Sequence, residues 1–202
     1  MANLKLKNPS GGSLNLVSAD GGSDLTVTFP AGTGTAVVNG VSSAIVSGTA
    51  VATTSGTSID FTGIPSWAKR ITVMFNGVST NGSSRVIIQL GDSGGIETTG
   101  YSSGSYFLQS TASNGFTDGT SGFIIYWDGA EALRYGVMQI NLLNASTNLW
   151  SEFGSFAVDA SSDGLVLCSG NKALSATLDR IRITTVNGTD TFDAGSINIT
   201  YE

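Results

Sequence analysis

Apolar residues in this chain alternate with polar ones in short runs, and a turn-forming cluster cuts off every run. Ile71, Val73 and Phe75 recur at every second position, and Ile181 and Ile183, and Ile197, Ile199 and Tyr201, alternate with polar neighbours. A period of two is the signature of a strand with one buried face. No long 3.6-residue apolar period appears anywhere, and the one helical hint is a single turn at Pro65–Lys69. Asn76-Gly77, Asn81-Gly82, Asp92–Gly95, Asp128-Gly129, Asp163-Gly164 and Asn187-Gly188 supply the punctuation. Asn, Asp and Gly tolerate the φ > 0 positions that tight turns require. With 27 glycines and only three prolines, the composition is that of many short strands joined by tight polar turns.

Candidate strands from residue 57 onward are Ser58–Phe61, Arg70–Phe75, Arg85–Leu90, Phe123–Trp127, Gly136–Leu143, Leu149–Val158, Leu165–Cys168, Leu178–Thr184 and Ser196–Tyr201. This spacing predicts an all-β fold, an antiparallel β-sandwich of jelly-roll-like form over 57–202, with barrel closure as the alternative. Residues 39–56 are rich in Ser, Thr, Gly and Ala and read as a linker, with short pairing segments around Ile45 and Val51.

Residues 1–38 have their own rhythm. Leu4 and Leu6, then Leu14 and Leu16, then Leu25, Val27 and Phe29, alternate across Gly- and Pro-containing turns. Each piece offers two or three apolar side chains, too few for a hairpin to stand alone in water. These strands read as an extended arm that finds its cover on a larger assembly, and those seven residues are its expected docking positions.

Charge excludes one class of partner. The net charge is −6 and only nine Lys and Arg are present, scattered along the chain. Nucleic acid requires a basic face, so no nucleic-acid partner is expected. No run approaches the ~20 apolar residues of a membrane-spanning helix, so no membrane partner is expected either. The opening residues lack the apolar stretch of a secretory signal, which predicts synthesis in the cytoplasm.

Chemistry is equally constrained. Histidine is absent and Cys168 is the sole cysteine. That removes the commonest general base, the Ser–His and Cys–His nucleophile pairs and thiolate metal clusters. Glu97, Glu131 and Glu152 are dispersed, and no carboxylate pair stands out for glycoside hydrolysis. Asp159, Asp163, Asp190 and Asp193 put oxygen ligands on loops without the spacing of a calcium-binding loop. The chain is expected to be no enzyme, with no metal site and no cofactor. Residues 92–122 read as a long loop in which Tyr101 and Tyr106, on a Gly/Ser frame, are exposed for glycan binding or for a subunit interface. Trp127, inside an apolar run, reads as core.

Two stretches carry a resemblance. Leu4-Lys-Leu-Lys-Asn-Pro-Ser-Gly-Gly-Ser-Leu-Asn-Leu16 with Asp24-Leu-Thr-Val-Thr-Phe-Pro-Ala-Gly-Thr-Gly34 resembles the arm that opens many tailed-bacteriophage fibre and decoration proteins. Ile59-Asp-Phe-Thr-Gly-Ile-Pro-Ser-Trp-Ala-Lys-Arg-Ile-Thr-Val-Met-Phe75 and the segment from Asp179 to Ile199 are similar to a domain recurring in phage structural proteins. The resemblance implies a virion component on the outer surface of the particle, made in the host cytoplasm and trimeric. Its arm would attach to capsid or tail proteins while the sandwich projects outward. A chain of 202 residues is short for a principal tail fibre. That favours a capsid decoration or head-fibre protein, with a carbohydrate-binding tail-fibre adhesin for host surface glycan as the alternative.

Overall fold

The computed structural model describes residues 4–7 and 13–16 by their backbone, and 45–109, 114–127, 129–130, 132–159 and 164–202 in full. The chain divides into two compact units, residues 1–38 and 39–202. In the first, β1 (Leu4–Lys7) and β2 (Ser13–Leu16) form an antiparallel ribbon. Its register sets Leu4 opposite Leu16 and Leu6 opposite Leu14. Leu25, Val27 and Phe29 lie outside the described residues.

The second unit begins with β3 (Val46–Ser47), β4 (Val51–Ala52), β5 (Ser58–Thr62), β6 (Arg70–Thr80), β7 (Val86–Asp92) and β8 (Gly95–Ile96). It continues with β9 (Tyr101–Leu108), β10 (Gly115–Gly119), β11 (Phe123–Ile125), β12 (Leu133–Asn144) and β13 (Leu149–Asp159). It ends with β14 (Gly164–Ala173), β15 (Arg180–Thr185) and β16 (Phe192–Tyr201). Among the described residues there is no helix, and every strand pairing is antiparallel. One sheet runs β10-β9-β14-β13-β12-β6-β16-β3 with β4 also on β16, and the other runs β11-β7-β15-β5 with β8 on β7. The fold is an antiparallel β-sandwich. Strands β6 and β7, in different sheets, return as their neighbours β16 and β15, the folded-over hairpin of a jelly-roll-like architecture. A β12–β13–β14 meander widens the larger sheet.

The core lies between the sheets. Phe75, Met138, Phe156, Val166 and Ile199 of the large sheet meet Val86, Ile88, Leu90, Ile181 and Ile183 of the small one, all buried. Phe75 and Phe156 pack edge to face at 5.2 Å between ring centroids. Burying such side chains contributes ~1.5–3 kcal/mol each, so the alternating pattern is enough to choose which face of each strand turns inward.

Three readings from sequence change here. Asn76-Gly77 is a bulge inside β6, not a turn, and the register shifts beside it on both flanking strands. Gly77 (φ 63°) lies against Gly195 (φ 91°) of β16, where a Cβ would run into the Gly77 carbonyl. Only glycine meets both demands at once. Residues 45–56 are not a free linker: β3 and β4 pair with β16, and Thr53 is fully buried with its Oγ1 donating to the Ala194 carbonyl at 2.6 Å. Residues 92–122 are not one long loop, because β8, β9 and β10 lie within them.

Candidate interaction surface

Strand β9 explains why that stretch escapes a pattern search. Its inward positions are Tyr101, Ser103, Ser105 and Phe107. The two serines accept hydrogen bonds from the outer edge of β11: Ser103 Oγ from Ile124 N–H and Ser105 Oγ from Tyr126 N–H, both at 3.0 Å. Hydroxyls of one sheet thus satisfy backbone donors of the other, which a buried strand edge requires.

Tyr101 is buried, against the expectation that it is exposed for a ligand. Its ring packs edge to face on Phe123 at 5.1 Å. Along β7, a gap between β11 and β8 leaves Leu90 without a ladder partner on that side. Leu90 N–H donates to the Tyr101 hydroxyl at 2.6 Å, that hydroxyl donates to the Glu97 carbonyl at 3.0 Å, and Glu97 N–H donates to the Leu90 carbonyl at 2.9 Å. Tyr101 therefore plugs a missing stretch of sheet, and burial raises its phenol pKa. Tyr106 faces outward and is exposed. The two tyrosines lie on opposite faces of one sheet and form no common platform. Trp127 packs against Phe107 at 4.6 Å, at the margin of the core.

The outward face around Tyr106 is unusual. Register places Phe116, Tyr106, Leu167, Ser155 and Val137 side by side across β10, β9, β14, β13 and β12. Phe116 is 65% exposed, Leu167 44% and Val137 43%. The adjacent row holds Leu108, Leu165, Ala157 and Tyr135. On the other side lies Phe153, 56% exposed. Phe116 packs on Gly104, where a Cβ would meet its ring at 3.1 Å, and Tyr135 lies over Gly77. The sequence signal for this face was the unbroken run Leu165-Val166-Leu167-Cys168, which has apolar residues pointing both ways.

Carboxylates do gather at one place that the sequence did not single out. Ser175 Oγ donates to Asp92 Oδ2 at 2.7 Å and Ser175 N–H to Glu97 Oε1 at 2.7 Å, and Lys172 Nζ is 2.5 Å from Glu97 Oε2. The Ser175 and Gly94 hydrogen bonds hold the Asp92 pKa down. Burial pushes Glu97 up, but Lys172 and Ser175 outweigh it and its pKa is lowered too. Both carboxylates are locked as hydrogen-bond acceptors, the opposite of a poised general acid. Asp190 accepts from Ser84 N–H and Asn187 Nδ2, and Asp193 from the Ser79 hydroxyl. Among the described residues, no three carboxylate, His or Cys groups converge as for a metal.

Like the fully buried Arg134, Glu152 is a discordant inward residue. It is buried beside Ile140 and opposite Gly170, neither carboxylate oxygen has a hydrogen-bond partner, and burial pushes its pKa up to about 8. A concave polar groove of about 540 Å³ is lined by Ser83, Ser84, Arg85, Asp118, Ser121 and Val186, among others. Arg85 sits 4.7 Å from the centroid of the Tyr126 ring and donates to Thr117 Oγ1 at 2.8 Å.

Comparison with protein-family models, curated proteins and solved structures found no match.

Proposed function

We propose that this chain is a non-enzymatic structural protein of a tailed-bacteriophage virion, decorating the capsid as a trimer. Residues 1–38 dock on the particle and the sandwich projects outward from it. The observation that carries the reading is the separate N-terminal unit, whose described part is a two-stranded ribbon pairing leucine with leucine. Two strands alone are marginal in water, so such a ribbon gains its stability where another surface covers it. The resemblance of both segments to phage structural proteins, and the lack of histidine for acid–base or nucleophilic chemistry, support the same reading. Deleting residues 2–38 tests it. The remaining sandwich should keep its β-sheet circular dichroism and cooperative melting while losing attachment to phage particles. Undiminished attachment would overturn the reading.

The groove at Arg85 and Asp118 favours a second reading, adhesion to host surface glycan. Hydroxyl, guanidinium and carboxylate groups around one concavity suit the dense hydroxyls of a sugar. Tyr101, being buried, takes no part in it. Glycan-array binding by the wild type, lost in Asp118→Ala and kept in Tyr101→Phe, would favour adhesion; no binding across the array would count against it.

A further inference from the structure

We propose that the outer face of the large sheet is a surface through which copies of this chain associate with one another. Three features of the face select another copy as the occupant. The first is its extent. Five strands from β9 to β6 with seven residues along each, and the five residues of β10, at about 4.8 Å between strands and about 3.3 Å along them, give roughly 630 Å² per copy. Two such faces together clear the ~1,000 Å² expected of a specific interface.

The second is charge. The outward positions of residues 102–108, 165–171, 151–157 and 135–141 fall in register across β9, β14, β13 and β12. None of them is Asp, Glu, Lys or Arg. In a chain of net charge −6, copies repel one another wherever charged surfaces meet. Across these four strands copies can approach without that repulsion, and the charged outward residues, Asp118 on β10 and Arg70 on β6, stand at the two flanks. The third is composition. Tyr106, Phe116, Phe153 and Tyr135 give the patch the aromatic content that interface centres favour, and the row Ser102, Asn171 and Ser151 borders it at one end. An exposed, largely apolar patch of this size marks an interaction site.

The proposal concerns contacts between copies of the sandwich and stands whether or not residues 1–38 dock on a particle. Sedimentation equilibrium of the full chain at micromolar concentrations tests it. The wild type should sediment at two or more times the 20.6 kDa of one chain. The Phe153→Glu/Leu167→Glu pair should sediment as a single chain with an unchanged circular dichroism spectrum. Val186→Glu, a charge placed on an exposed valine of the turn after β15, should leave the mass unchanged. Should the double variant fail to fold, Ser155→Cys decides. This exposed serine in the middle of the face should then be cross-linked between copies by a short bismaleimide at least tenfold faster than Ser93→Cys on the β7–β8 turn. A monomeric wild type, a folded double variant that keeps the wild-type mass, or equal cross-linking at 155 and 93 would overturn the proposal.

Discussion

Glu152 makes the stability of this protein depend on pH in a direction opposite to that of most carboxylates. In the folded chain burial raises its pKa from 4.5 to about 8, with no ion pair or hydrogen bond among the described residues to hold the charged form. In the unfolded chain it releases its proton near the ordinary value. Between those two values the folded state carries one proton more than the unfolded state, so stability falls as pH rises. At about 1.4 kcal/mol per pKa unit, the loss across the window is on the order of 5 kcal/mol, a sizeable share of the 5–15 kcal/mol typical of a domain. The window is clean because the chain has no histidine. Cys168, its thiol pushed up to about 12 by burial, stays protonated throughout. Urea unfolding at pH 5, 6, 7 and 8 should show the wild-type midpoint falling steadily at constant slope. Glu152→Gln, uncharged at every pH, should hold a nearly constant midpoint and overtake the wild type by pH 8. Parallel pH profiles for the two proteins would refute the reasoning.

Three further predictions follow from single contacts. Tyr101→Phe keeps the ring on Phe123 but strands the buried Leu90 N–H, so chemical denaturation should report a loss of about 1–3 kcal/mol. Gly195→Ala forces a Cβ into the Gly77 carbonyl at a positive φ and should destabilise by about 3 kcal/mol or more; a melting temperature within a degree of wild type would contradict the bulge geometry. Cys168, buried with its thiol pKa raised, should react with a thiol-specific disulfide reagent only as fast as the chain unfolds.

Much of the fold was legible because inward and outward residues differ in polarity. Ile71, Val73 and Phe75 on β6, or Ile197 and Ile199 on β16, face the core and announce themselves by alternation. Strand β9 was hidden because its contrast is inverted. Ser103 and Ser105 point inward to serve the edge of β11, while Tyr106 and Leu108 point outward. Asn76-Gly77 carries turn chemistry and is used for a bulge, since both need φ > 0. A local pattern cannot say which, because the choice is made by Gly195 on a strand distant in sequence. The same limit hid the apolar outer face: Phe153 and Val137 look like core residues until registration sets them beside Leu167 and Tyr106 on the side away from the small sheet.

The proposed role as a virion surface protein is tested most directly by locating the chain on phage particles purified by density gradient. Quantitative peptide mass spectrometry with electron cryomicroscopy of the same particles should find it at a fixed ratio to the major capsid protein. Its sandwich should appear as density on the outer surface, lost in particles made with the 2–38 deletion. A chain confined to the soluble fraction of the lysate, with particles that look the same without it, would contradict the account.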